Sequence, residues 1–106
     1  MNDGLTQKQR AMIASVLEAC PAVNEVILFG SRAMGNYKPA SDADFFLIGE
    51  GIGMTELLQI HRGIDDLPLS IDVDLLADTM LHSPDVRRHI RQHGRLWWSR
   101  TSGLLP

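Results

Sequence analysis

The chain carries a single cysteine, Cys20, so it can close no internal disulfide. That suits a reducing compartment. It also lacks an excess of basic residues: 10 Lys and Arg stand against 13 Asp and Glu, a formal net charge of -3. No global positive field favours nucleic acid, which is therefore not expected as the direct substrate. An anionic substrate would need a local basic site or a metal ion. No apolar run approaches bilayer length, so no membrane partner is expected. The opening MNDGLTQKQR lacks the apolar stretch of a secretory signal. Repeats and low-complexity tracts are missing too. These absences point to a soluble, cytoplasmic protein. Its 106 residues, 44% of them hydrophobic, suffice for one domain with a core, spanning 1–106.

What is present alternates between two periodicities. Thr6 with Gln9 three residues on is a capping box, and Met12, Ile13, Val16, Leu17 and Cys20 form a helical stripe that Pro21 ends. A strand follows over about Asn24 to Phe29, its run Val26 to Phe29 apolar enough to be buried on both faces. Ser31 to Met34 can start a short helix that Gly35-Asn36 ends. A loop over Tyr37 to Ser41 leads to a second strand, Asp42 to Ile48. The glycine-rich GEGIG connects to a helix through Met54, Leu57, Leu58, His61 and Ile64, closed by Leu67-Pro68. LSIDVDLL alternates as a third strand. Ser83-Pro84 opens a helix that ends at Gly94, RLWWSR reads as a short last strand, and the tail from about 100 to 106 is expected to fray. This order predicts an α/β (α+β) domain: a small mixed sheet of three to four strands with helices packed on it.

Two acids, Asp42 and Asp44, stand one residue apart at the mouth of the second strand. Alternation puts Asp42, Asp44, Phe46 and Ile48 on one face of it. On the third strand it puts Ser70, Asp72, Asp74 and Leu76 together. With the strands side by side, three or four carboxylates converge. Unpaired, they would repel and raise one another's pKa; a divalent cation removes that cost. Hard oxygen ligands suit Mg²⁺ or Mn²⁺, with phosphate oxygens completing the shell.

Gly30-Ser31 lies where the first strand turns into the short helix. Such a turn offers backbone N–H groups to an anion; Gly30 permits close approach, Ser31 donates a hydroxyl, and Arg32 adds a positive partner. A phosphate cradle facing a carboxylate cluster is what two-metal nucleotidyl transfer requires. Each part also has a plainer reading. Gly-Ser after a strand is a common turn, Asp-x-Asp is common turn chemistry, and Asp72 with Asp74 could be charges guarding an edge strand. Acids on otherwise apolar strands make the combination informative.

Gly30-Ser31, ten residues, then Asp42-Ala43-Asp44 resembles the signature of the DNA polymerase β-like nucleotidyltransferase superfamily. FGSRAMGNYKPASDADFFL is similar to the version in minimal nucleotidyltransferases, the MNT proteins. VDLL at 73–76 resembles the strand supplying a third carboxylate, which favours Asp74 over Asp72, and VRRHIRQHGRLWW resembles the C-terminal part of these proteins. The likeness spans about Leu5 to Trp98. It implies the nucleotidyltransferase fold and the following roles. Asp42, Asp44 and Asp74 would hold two Mg²⁺ ions, with Mn²⁺ as a substitute, and the triphosphate of ATP. Asp74 would also serve the attacking hydroxyl, as ligand of its metal or as acceptor of its proton. Gly30 and Ser31 would hold the β- and γ-phosphates. It further implies transfer of AMP to a hydroxyl on a partner protein, with a HEPN ribonuclease toxin as that partner and this chain as its antitoxin.

Two other readings stand beside this one: an idle module that neutralises its partner by contact, and a nucleotide-binding subunit of a larger transferase. A homo- or hetero-oligomer would suit an open site. Among the remaining features, His89 and His93, with His82 before them, could ligate a metal but more often form a solvated helix face. Arg87, Arg88, Arg91 and Arg95 make a basic patch that could meet RNA or an acidic partner. Trp97 and Trp98 should divide between core and partner contact, since adjacent strand residues face opposite ways. Cys20 reads as core.

Overall fold

The computed structural model describes residues 2–105. Its elements run α1 (Gln7–Glu18), β1 (Glu25–Phe29), α2 (Ser31–Met34), β2 (Ala43–Ile48), α3 (Met54–Asp65) and β3 (Val73–Ala77). A 3₁₀ turn at Asp78–Met80, α4 (Pro84–His93), β4 (Arg95–Ser99) and β5 (Gly103–Leu104) complete the chain. The expected capping box at Thr6 is formed, and Gly35 ends α2 in the left-handed conformation. Ser83 caps α4, with Pro84 in its first turn.

The strands form one mixed sheet in the order β3-β2-β1-β4-β5. β1 runs antiparallel to β2 and to β4, whereas β2 and β3 are parallel, joined by α3 as the crossover that a parallel pair needs. One face carries α1 and α3 over a core that includes Ile13, Leu17, Val26, Phe45, Ile60 and Trp97. The other face carries α4, whose Ile90 packs with Phe46 and Leu81 against Ile27, Phe29 and Leu76. Both faces of β1 and β2 are thus covered, which is why their sequences are almost wholly apolar.

Three expectations are corrected. Among the described residues the sheet has five strands rather than three or four, because the expected frayed tail is paired as far as it is described: Gly103 and Leu104 pair with Ser99 and Trp98, and residue 106 lies outside the described residues. Arg10 also donates to the Leu105 carbonyl at 2.9 Å. The third strand is shorter than LSIDVDLL, since its ladder neighbour begins only at Ala43, opposite Val73. Trp97 and Trp98 do not part company. The register between β1 and β4 slips at Val26/Ile27, so Trp97 is an extra, bulged residue, and both indoles enter the α1–α3 core. Trp97 packs on Phe45 at 4.7 Å between ring centroids and donates its Nε1–H to the buried Asp3 carboxylate at 2.9 Å.

Candidate functional site

β2 and β3 decide where the acids stand. Their parallel register sets Asp44 directly beside Asp74, and Phe46 beside Leu76, so each pair shares a face. That face is the one α4 covers farther along the strands, through Phe46 and Leu76. Asp42 lies just ahead of β2 and is exposed, as are Asp72 and Asp74, while Asp44 is half-buried. The Asp44 and Asp74 side chains are within hydrogen-bonding reach. Burial first, then that hydrogen bond, then the charges of Asp74 and Asp42, push the Asp44 carboxyl up to about 6. Asp44 and Asp74 are thus paired on one face, with Asp42 near enough for its charge to act on Asp44.

Gly30 closes the arrangement from β1. Phe29 is the cross-strand partner of Asp44, so the next residue turns over its carboxylate. A Cβ at Gly30 would strike Asp44 Oδ2, and its φ of +74° with ψ of -155° is backbone that L side chains rarely adopt. Glycine here serves both the turn and the approach. Ser31, half-buried, begins α2, whose first N–H groups have no partner within the helix.

Arg32 is elsewhere, which corrects its expected place beside the nucleotide. It is only 2% exposed. Its guanidinium donates to the carbonyls of Ser41, Asp3 and Pro39 at 3.1, 2.9 and 3.2 Å and lies over the Tyr37 ring. Five guanidinium N–H groups in a fixed fork are well suited to tying three backbone segments together. Arg32 thereby fixes the loop that delivers Asp42.

Beside the acids a hollow of about 350 Å³ is lined by Asp42, Asp72 and Asp74 together with His61 and Asp65. Asp72 thus sits at the margin of the cluster. His61 and Asp65 read in the sequence only as helix positions; their spacing of four, putting both on one face of α3, was the available signal. A larger hollow, about 720 Å³, lies between α1 and α3 and contains none of the acids.

The donor set suits a hard cation. Burial first, and then its acid neighbours, raise the Asp44 carboxyl, and a cation beside it would relieve the repulsion. Among the described residues no three His, Cys, Asp or Glu side chains enclose an ion by themselves. Magnesium is ordinarily bound by one or two carboxylates plus substrate phosphates, so an open set is what this chemistry uses. His89 and His93 approach to 5.1 Å between ring centroids on α4, with His89 edge-on to Phe29.

The family model for the Polymerase beta nucleotidyltransferase domain matches residues 11–102. Two candidate protein adenylyltransferases of Methanocaldococcus jannaschii are 32% and 31% identical over 71 residues, covering 66% of this chain and 71% of each relative. Among solved structures, a chain of a toxin–antitoxin complex with AMP-PNP superposes with a TM-score of 0.70 at 21% identity, covering 85% of this chain and 73% of that one. A chain from a complex of an AMPylated Shewanella oneidensis HEPN toxin with its MNT antitoxin gives 0.67 at 18% identity, covering 92% and 75%. At such identities the structural likeness concerns the fold.

Proposed function

The chain belongs to the Polymerase beta nucleotidyltransferase family, and from that premise we propose that it transfers AMP from ATP to a hydroxyl on a partner protein. The observation that carries this reading is the register that seats Asp44 beside Asp74, with Gly30 turned over the Asp44 carboxylate. Asp42, Asp44 and Asp74 would hold Mg²⁺. When bound, the metal supplies charge neutralisation at the triphosphate and activation of the attacking oxygen. The backbone at Gly30-Ser31 and the Ser31 hydroxyl bind and orient the β- and γ-phosphates. The acceptor oxygen forms a bond to the α-phosphorus, the bond from that phosphorus to the bridging oxygen breaks, and pyrophosphate leaves. Asp74, exposed at the rim, takes the proton of the acceptor hydroxyl. Positioning and charge neutralisation account for most of the rate in such a site.

The acceptor follows from the openness of the site. Asp42 and Asp74 face solvent, so a macromolecular hydroxyl brought by a partner suits the site better than an enclosed small molecule. The relatives named as protein adenylyltransferases, and the HEPN toxin partner of a structural neighbour, support a HEPN-type toxin as acceptor, with this chain acting as antitoxin in the cytoplasm. Calorimetry tests the nucleotide half of the proposal. ATP should bind with Mg²⁺ and lose at least tenfold in affinity in chelator or on Asp44→Asn. Equal affinity with Mg²⁺ and with chelator would count against the metal site.

A further inference from the structure

We infer that His89 and His93, on the last turns of α4, bind the β- and γ-phosphates of the nucleotide; this rests on the nucleotidyltransferase reading of the acid cluster. Across the sheet Asp74 stands on β3, Asp44 on β2 and Gly30 at the end of β1, with α2 following it. With the α-phosphorus at the acids and the terminal phosphates at Gly30-Ser31, the triphosphate runs from β2 toward α2. α4 ends at His93, and Arg95 just after it opposes Leu28 near the end of β1. The C-terminal end of α4 is therefore the end beside Gly30. Its N-terminal half is tied through Arg87 to Asp78, which follows β3 at the other end of the strands. A helix C-terminus disfavours anions, so phosphates beside it need side-chain donors.

Two contacts fix the histidine pair beside the turn. His89, half-buried, stands edge-on to Phe29 at 6.2 Å between ring centroids. Phe29 is the residue before Gly30 and the cross-strand partner of Asp44, so it shares the face of that acid. His93, exposed one turn on, lies 5.1 Å from His89 between ring centroids. With Ala33 and Met34 of α2 and with Arg95, it lines a hollow of about 420 Å³. Residues just before and just after Gly30-Ser31 thus border the two imidazoles. Neither ring has a hydrogen-bond partner among the described residues, so each can give an N–H to a phosphate oxygen, and Arg95 adds positive charge to the same hollow. The other histidines stand elsewhere. His82 precedes α4 at its opposite end, and His61 lines the hollow of Asp42, Asp72 and Asp74 from α3. Exposed Arg62 is also on α3, which covers the other face of the sheet.

The test titrates the full chain with Mg²⁺ and ATP, and separately with Mg²⁺ and pyrophosphate, by calorimetry. His89→Phe combined with His93→Ala should weaken both about tenfold, through lost hydrogen bonds to charged oxygens. His93→Gln, which keeps an N–H donor, should lose less than His93→Ala. The melting temperature should hold, because Phe at 89 keeps the edge contact with Phe29 and His93 is exposed. If the double variant melts early, His93→Ala alone carries the test, with about a threefold loss. His82→Ala and Arg62→Gln should bind as wild type. Unchanged binding in His93→Ala and in the double variant overturns the inference alone, and so does an equal loss in His82→Ala or Arg62→Gln. Failure of the wild type to bind either ligand overturns the nucleotidyltransferase reading and this inference with it.

Discussion

Asp44 stands half-buried against Asp74, with its carboxyl raised from 3.8 to about 6 by burial, by the hydrogen bond to Asp74 and by the charges of Asp74 and Asp42. The folded-state value lies above the unfolded one. Protonated Asp44 therefore stabilises the metal-free fold, fully below about 3.8, and that contribution is lost as pH rises through about 6. Thermal melts of metal-free protein should show stability falling across this window. Asp44→Asn should flatten the fall and gain about 1 kcal/mol at neutral pH, allowing for solvent screening of a part-exposed group. Added Mg²⁺ should stabilise the wild type above pH 6 and leave Asp44→Asn little changed. A wild-type melt that rises through the window would contradict the raised Asp44 carboxyl. The acid pair was legible in the sequence because alternation is reliable on regular strands. The role of Arg32 was not, because its three acceptors are backbone carbonyls, which no residue pattern marks.

At the scale of elements, α2 and the loop before β2 form one unit, since the Arg32 guanidinium ties that loop and the N-terminal segment to the helix. Arg32→Ala should cost about 3 kcal/mol, because a buried guanidinium is lost and three carbonyls, that of Asp3 in a buried bond, lose their donors. Urea unfolding would check it, and a loss below about 1 kcal/mol would place the anchor elsewhere. β5 extends the sheet at the far edge. Deleting residues 103–106 should cost about 1–2 kcal/mol and bare the β4 edge to self-association. Sedimentation alongside a melt would reveal both effects, and an unchanged melt would mean that this strand adds nothing. Helices and their caps were readable from Thr6, Ser83 and Gly35, where local chemistry decides the outcome. The places of Trp97 and Trp98 were not, because one bulged residue overturns strand parity and the bulge is set by the register with β1. β5 escaped for a related reason: two residues carry no periodicity, and only their pairing with Trp98 and Ser99 makes them a strand.

Across the whole molecule, packing and chemistry occupy different regions. The largest core cluster fills the α1–α3 face, while the acids stand at the strand ends beside α2, on the face α4 covers farther along. Among the described residues no helix is long and apolar enough to cross a membrane. The net charge of -3 argues that any attraction for phosphate is local. An open acid site leaves room for a partner to present the acceptor. The central claim, as proposed above, is metal-dependent AMP transfer to a HEPN-type toxin, and one measurement meets it directly: intact-mass analysis of a HEPN-type toxin offered as partner after incubation with this protein, ATP and Mg²⁺. The account predicts that the partner gains the mass of AMP. It should gain none in chelator, or with a chain carrying Asp42→Ala and Asp44→Ala that melts as a folded protein. A partner that stays unmodified, yet is neutralised equally by wild type and double variant, would contradict the account and make contact alone the mechanism.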